Sequence, residues 1–74
     1  MSSAKLNCDI PIDRYSIIKE NGNSPKKGDI VELDQGFTGK DGLPMGLVFH
    51  IDSDGIDVYE AQVYETELEL IIND

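Results

Sequence analysis

The sequence is poor in the residues that build disulfides, metal centres and catalytic sites. It contains one cysteine, Cys8, one histidine, His50, and no tryptophan. A single cysteine excludes an internal disulfide, and one cysteine with one histidine is too few for a structural zinc site. Cys8 lies between Asn7 and Asp9, a setting expected to raise the pKa of the thiol and leave it unreactive. We therefore expect no cofactor, no metal and no enzymatic activity.

Long apolar runs are also missing. The first residues lack the apolar core of a signal peptide. No run elsewhere approaches the ~20 apolar residues that a membrane-spanning helix needs. These two absences predict a cytoplasmic protein that does not enter a membrane.

Basic residues are absent from the second half of the chain. All six lysines and arginines precede residue 41, and residues 41–74 carry nine acidic residues and the whole formal charge of −9. Affinity for nucleic acids depends largely on Lys and Arg, and a negative field repels nucleic acids and anionic lipids while it attracts basic surfaces. The charge pattern predicts a protein partner with a basic surface, and neither nucleic acid nor membrane as a partner.

No segment sustains the 3.6-residue apolar period of a helix, and seven glycines and three prolines interrupt the chain. Short runs rich in Ile, Val, Leu, Tyr and Phe are instead separated by turn residues, which is typical of an all-β fold. Alternation also predicts which residues of these runs face the core. They are Val31 and Leu33 of the second run, Leu47, Phe49 and Ile51 of the third, Tyr59 and Val63 of the fourth, and Leu68, Leu70 and Ile72 of the last. The five predicted strands cover residues 14–19, 30–33, 45–51, 56–64 and 68–72.

The remaining segments predict the connections. Residues 1–9 are expected to form a flexible N-terminal arm, and residues 10–74 a single small β-barrel domain. Residues 34–44, with three glycines, predict an irregular loop. Asp54-Gly55 supplies the positive φ angle of a tight hairpin turn, and the polar residues 65–67 suit a short 3₁₀ turn.

Four motifs follow one another in the order found in a known group of small domains. They are Lys-Lys-Gly-Asp-Ile-Val at 26–31, the hairpin at 46–55, Tyr-Glu-Ala-Gln-Val at 59–63 and Glu-Leu-Glu-Leu-Ile at 67–71. In this order the chain resembles small SH3-like β-barrel domains of uncharacterised bacterial single-domain proteins. The resemblance implies an SH3-like barrel of about five short antiparallel strands with an irregular glycine-rich loop.

The acidic residues of the last two predicted strands are the first candidate contact surface. They could attract a basic partner, but on an edge strand they could equally keep the sheet from pairing with another chain or keep the protein soluble. The apolar tip of the glycine-rich loop is a second candidate. The predicted partner-binding residues are Asp57, Glu60, Glu65, Glu67 and Glu69, together with Leu43, Pro44 and Met45.

These features predict a non-enzymatic acidic interaction module, for example an immunity- or inhibitor-type protein that covers a basic surface of its partner. Two alternatives stay open. The first is an accessory subunit or a phage-encoded docking protein of a larger complex. The second is a small-ligand-binding domain.

Overall fold

The computed structural model describes residues 2–71, without the side chains of Ser2 and Leu70. In this range the strands are β1 (Ser2–Leu6), β2 (Tyr15–Ile17), β3 (Ile30–Thr38), β4 (Pro44–Ile51), β5 (Asp57–Tyr64) and β6 (Leu68–Leu70), and the 3₁₀ turns are η1 (Ile12–Arg14) and η2 (Glu65–Glu67). The six strands form one antiparallel sheet in the order β2-β5-β4-β3-β1-β6. The all-β prediction is confirmed, with six strands rather than about five. The sheet is not closed, because β2 and β6 stand at its two ends.

The N-terminal segment differs from its prediction as a flexible arm. Ser2–Leu6 form β1, which pairs with β3 on one side and with β6 on the other. Ala4 and Leu6 are fully buried because they face the core cluster, and pairing on both sides satisfies the backbone groups of β1. Two apolar residues are too few to reveal a strand by their alternation. Met1 lies outside the described residues.

The glycine-rich segment is more regular than its prediction as a loop over residues 34–44. β3 continues to Thr38 because the pairing with β4 resumes after an irregularity between Leu33 and Gln35. The Cβ of a larger residue at Gly46 would lie 2.7 Å from a Leu33 methyl carbon. Glycine at position 46 therefore leaves room for the Leu33 side chain against β4. The connection between β3 and β4 is limited to residues 39–43, which is shorter than predicted.

The two tight connections predicted from turn chemistry are present. The side chain of Asp52 accepts the backbone N–H groups of Asp54 and Ile56 at 2.9 and 3.0 Å, and Gly55 has φ +80°. Lys19 donates to the Asp52 carboxylate at 2.6 Å, which with the backbone donors lowers the Asp52 pKa to about 2. The other connection, η2, is the predicted 3₁₀ turn.

The core uses the opposite face of β4 from the one predicted. Val48 is fully buried and Gly46 faces the same side, whereas Ile51 is 38% exposed and Phe49 is half-buried on the other side. β4 is apolar on both faces, so alternation alone does not select the buried one. The buried apolar residues are Ala4, Leu6, Ile10, Val31, Val48, Val58, Tyr59, Ala61 and Val63.

Two parts of the predicted last strand lie outside what the structure describes, namely the side chain of Leu70 and the whole of Ile72. Helices in the described range are limited to the two three-residue 3₁₀ turns, and neither could cross a membrane.

Candidate functional site

One strand of the sheet presents an apolar row away from the core. Met45, Leu47, Phe49 and Ile51 alternate with the buried Gly46 and Val48, so their side chains share the outer face of β4. We call these four residues the outer stripe. β4 is a central strand, paired with β3 and with β5. Side chains of those two neighbours therefore border the stripe on both sides.

Carboxylates border the half of the stripe that contains Phe49 and Ile51. Phe49 is paired with Glu32 on β3 and with Glu60 on β5, and Ile51 is paired with Asp57. The hydroxyl of Ser3 donates to Glu32 Oε1 at 3.0 Å and holds that side chain in place. The apolar floor of this half thus has acidic neighbours on each side.

A cleft of about 160 Å³ lies in this half, lined by Glu32, Asp34, Phe49, Ile51 and Asp57. Two further clefts follow the stripe toward its Met45 end. One, of about 130 Å³, lies between Leu47 and residues 13–16, and the other, of about 410 Å³, lies between Met45, Phe37 and Tyr64. The outer face of β4 is therefore recessed along its length.

Glu67, predicted to be a solvated binding residue, lies in an internal network instead. Arg14 donates to its two carboxylate oxygens at 2.7 and 3.0 Å, and the backbone N–H of Tyr64 donates at 2.8 Å. The Arg14 guanidinium also lies 4.9 Å from the centre of the Tyr64 ring. Hydrogen bonds from Arg14 lower the pKa of Glu67. This side chain joins η1 to η2 and is no free surface charge.

The predicted acidic residues do not form one cluster. Asp57 and Glu60 border the outer stripe, whereas Glu69 lies on β6 opposite Lys5. Glu65 lines an opening with Leu33, Leu68 and Met45, at the end of the stripe away from Phe49 and Ile51.

The three residues of the predicted apolar loop tip also do not lie on one surface. Met45 belongs to the outer stripe, while Pro44 begins β4 and is exposed. Leu43 lies in the hairpin turn and is 52% exposed. Only one of the three predicted tip residues therefore contributes to the recessed face.

Sequence reasoning missed Glu32, Asp34, Phe49 and Ile51 as surface residues. Glu32 and Asp34 lie in the half of the chain whose charges sum to zero, so the charge asymmetry did not point to them. The predicted inward orientation of Val31 and Leu33 carried the available signal, since it places the residue between them on the outer face.

The two residues with possible metal or redox chemistry, Cys8 and His50, make contacts within the fold. Cys8 is half-buried, and burial followed by the hydrogen bond to Glu67 raises the pKa of its thiol. His50 stacks on Tyr59 at 5.1 Å, and its Nδ1 lies 2.7 Å from the carbonyl oxygen of Ile30. Across residues 2–71 no group of three or more His, Cys, Asp or Glu side chains is placed to hold a metal ion.

The lowered pKa of Glu67 predicts a loss of stability in acid. Its folded pKa lies below the unfolded value of about 4.3. The unfolded state therefore binds more protons between the two values, so the stabilisation is complete above about pH 5 and is lost as pH falls through the folded pKa. Urea unfolding across a pH series checks this. Below pH 5 the free energy of unfolding of Glu67→Gln should depend less steeply on pH than that of the wild type. Equal slopes for both proteins would contradict it.

Comparison with protein-family models, with curated proteins and with solved structures gives no match to this chain.

Proposed function

We propose that the chain is a non-enzymatic interaction module whose outer stripe binds a basic surface of a protein partner. The observation that carries the proposal is the position of carboxylates on both sides of the half-exposed Phe49 and Ile51. A concrete form is an immunity- or inhibitor-type protein that covers a basic site of its partner. For the fold we propose a partly open SH3-like barrel. It is supported by the last strand, β6, which follows a 3₁₀ turn and pairs with the first strand, β1.

The two kinds of side chain at this face have separate roles in binding. Burial of the apolar floor supplies affinity at about 25 cal/mol per Å² of apolar surface, before the costs of association. The carboxylates mainly raise the association rate and select the sign of the partner's charge. Lys and Arg combine an apolar stem with a charged head, and they therefore match a floor of Phe49 and Ile51 with Glu32 and Glu60 beside it.

Charge reversal next to the stripe is expected to slow association. Asp57→Lys combined with Glu60→Lys should reduce the association rate with the partner about tenfold or more at low salt, because it removes local steering. The partner is first captured from the native host with the wild-type protein. Surface plasmon resonance across a salt series then measures the rates.

The matched control is Glu65→Lys combined with Glu69→Lys, which changes the net charge equally at exposed sites outside the cleft at Phe49 and Ile51. It should have a much smaller effect on the association rate. Equal slowing by both double variants would show that only the overall field matters. No slowing by either would overturn the proposal. Circular dichroism establishes that each variant remains folded.

A further inference from the structure

The backbone of β4 restricts what can occupy the outer stripe. Its residues pair with β3 along one side and with β5 along the other, from Met45 to Phe49. A partner therefore cannot add a strand at the stripe, because β-augmentation requires a free edge. An extended segment lying across the face would leave its own backbone groups without partners in the contact.

We propose that the outer stripe accepts an amphipathic α-helix with basic residues on both flanks of its apolar face. This inference rests on the proposed function and specifies the form of the basic partner. A helix satisfies its backbone hydrogen bonds internally, so it can lie on a sheet face with only side chains in contact. Its apolar face would cover Leu47, Phe49 and Ile51.

The dimensions of the face match those of a short helix. Met45 and Ile51 are six residues apart on an extended strand, which corresponds to about 20 Å. A helix of about 13 residues has this length. Strands lie about 4.8 Å apart, so the acidic residues of β3 and β5 are separated by about 10 Å across β4. A helix with side chains has a diameter of about 10–12 Å, and both of its flanks would reach carboxylates.

The charge along the stripe is uneven, and this sets where the basic residues belong. Beside Phe49 the bordering residues are Glu32 and Glu60, whereas beside Leu47 they are Gln35 and Gln62. The helix half that covers Phe49 and Ile51 should therefore carry the Lys and Arg residues. The other half would lie beside Gln35 and Gln62, with the opposite charges of Asp13 and Arg14 further out in the cleft at Leu47, so it needs no net charge.

Synthetic peptides test the helical form directly. One 14-residue peptide places Leu at helical spacing and Lys on both flanks of one half, with Ala and Gln elsewhere. A second has the same composition in an order without an amphipathic face. Fluorescence anisotropy of the labelled peptides measures the Kd for the full chain. We expect the amphipathic peptide to bind with a Kd at least tenfold lower than the scrambled peptide.

A matched pair of protein variants locates the contact. Ile51→Gln should weaken binding of the amphipathic peptide about fivefold or more. Ile17→Gln should not, since Ile17 is similarly exposed, at 42% against 38%, but lies on β2 and away from the stripe. Equal effects of the two substitutions would place the peptide elsewhere and overturn the inference.

The remaining outcomes separate this inference from the proposed function. Equal binding of both peptides, weakened by the Asp57 and Glu60 reversals, would overturn the helical form and leave a basic partner in place. No binding of either peptide would overturn both. Dimers in sedimentation velocity that disappear in Ile51→Gln would identify a second copy as the occupant and also overturn the inference.

Discussion

Tyr59→Ala is expected to unfold most of the protein at 25 °C. Tyr59 is fully buried, stacks on His50 at 5.1 Å and donates its hydroxyl hydrogen to Asp29 Oδ2 at 2.8 Å. Truncation of a buried aromatic side chain costs about 3–5 kcal/mol. A chain of 74 residues has a total stability of only a few kcal/mol. Urea and thermal unfolding followed by circular dichroism measure the loss.

Phe49→Ala is the matched control, because it removes an aromatic ring from the other face of the sheet. Phe49 is half-buried on the outer stripe, and we expect its truncation to cost about 2 kcal/mol, roughly half the value for full burial. Tyr59→Phe separates the ring from the hydroxyl and should cost about 1–2 kcal/mol for the lost bond to Asp29. A Phe49→Ala variant as unstable as Tyr59→Ala would show that Phe49 belongs to the core.

The contrast between Tyr59 and Phe49 shows when the alternation of apolar and polar residues identifies the buried face of a strand and when it does not. On β5, Tyr59, Ala61 and Val63 alternate with the polar Glu60 and Gln62, and the structure confirms the predicted inward face. On β4 both faces are apolar, so the same rule allows two answers. The choice depends on which face meets β1 and β6 across the core, and that information is in the tertiary structure.

Residues that are close together in sequence predicted the connections more accurately than the limits of the strands. The turn before Gly55 and the 3₁₀ turn before Leu68 depend on residues close together in sequence, and both are present. β1 depends on pairing with strands that lie about 30 and 65 residues further along the chain. Its short sequence, with only Ala4 and Leu6 as apolar residues, gives little indication of that pairing.

Two of the acidic residues predicted from the sequence, Asp57 and Glu60, border the outer stripe. The basic partner inferred from the excess of acidic residues stays a prediction. Alternation along the last predicted strand places Glu67 with Glu69 on its outer face. Arg14, the partner of Glu67, is 53 residues away, and only the fold brings the two charges together.

Loss of the Glu67 carboxylate is therefore expected to destabilise the protein, although Glu67 looks like a surface acid in the sequence. Its side chain is 17% exposed, and it accepts hydrogen bonds from Arg14, from the backbone N–H of Tyr64 and from Cys8. Removing one partner of a buried ion pair costs about 3–5 kcal/mol. For this partly exposed pair we expect about 2–3 kcal/mol from Glu67→Ala. Chemical unfolding at pH 7 measures it.

Glu69→Ala is the matched control, two residues further along the chain and exposed. It should change the free energy of unfolding by less than about 0.5 kcal/mol. A double-mutant cycle of Arg14→Ala and Glu67→Ala then isolates the pair, with an expected coupling of about 1–2 kcal/mol. Arg14→Lys should recover little of it, because an ammonium group cannot reproduce two parallel hydrogen bonds. Equal losses from Glu67→Ala and Glu69→Ala would show that the link between η1 and η2 does not stabilise the fold. Glu67 would then rejoin the acidic residues available to a partner.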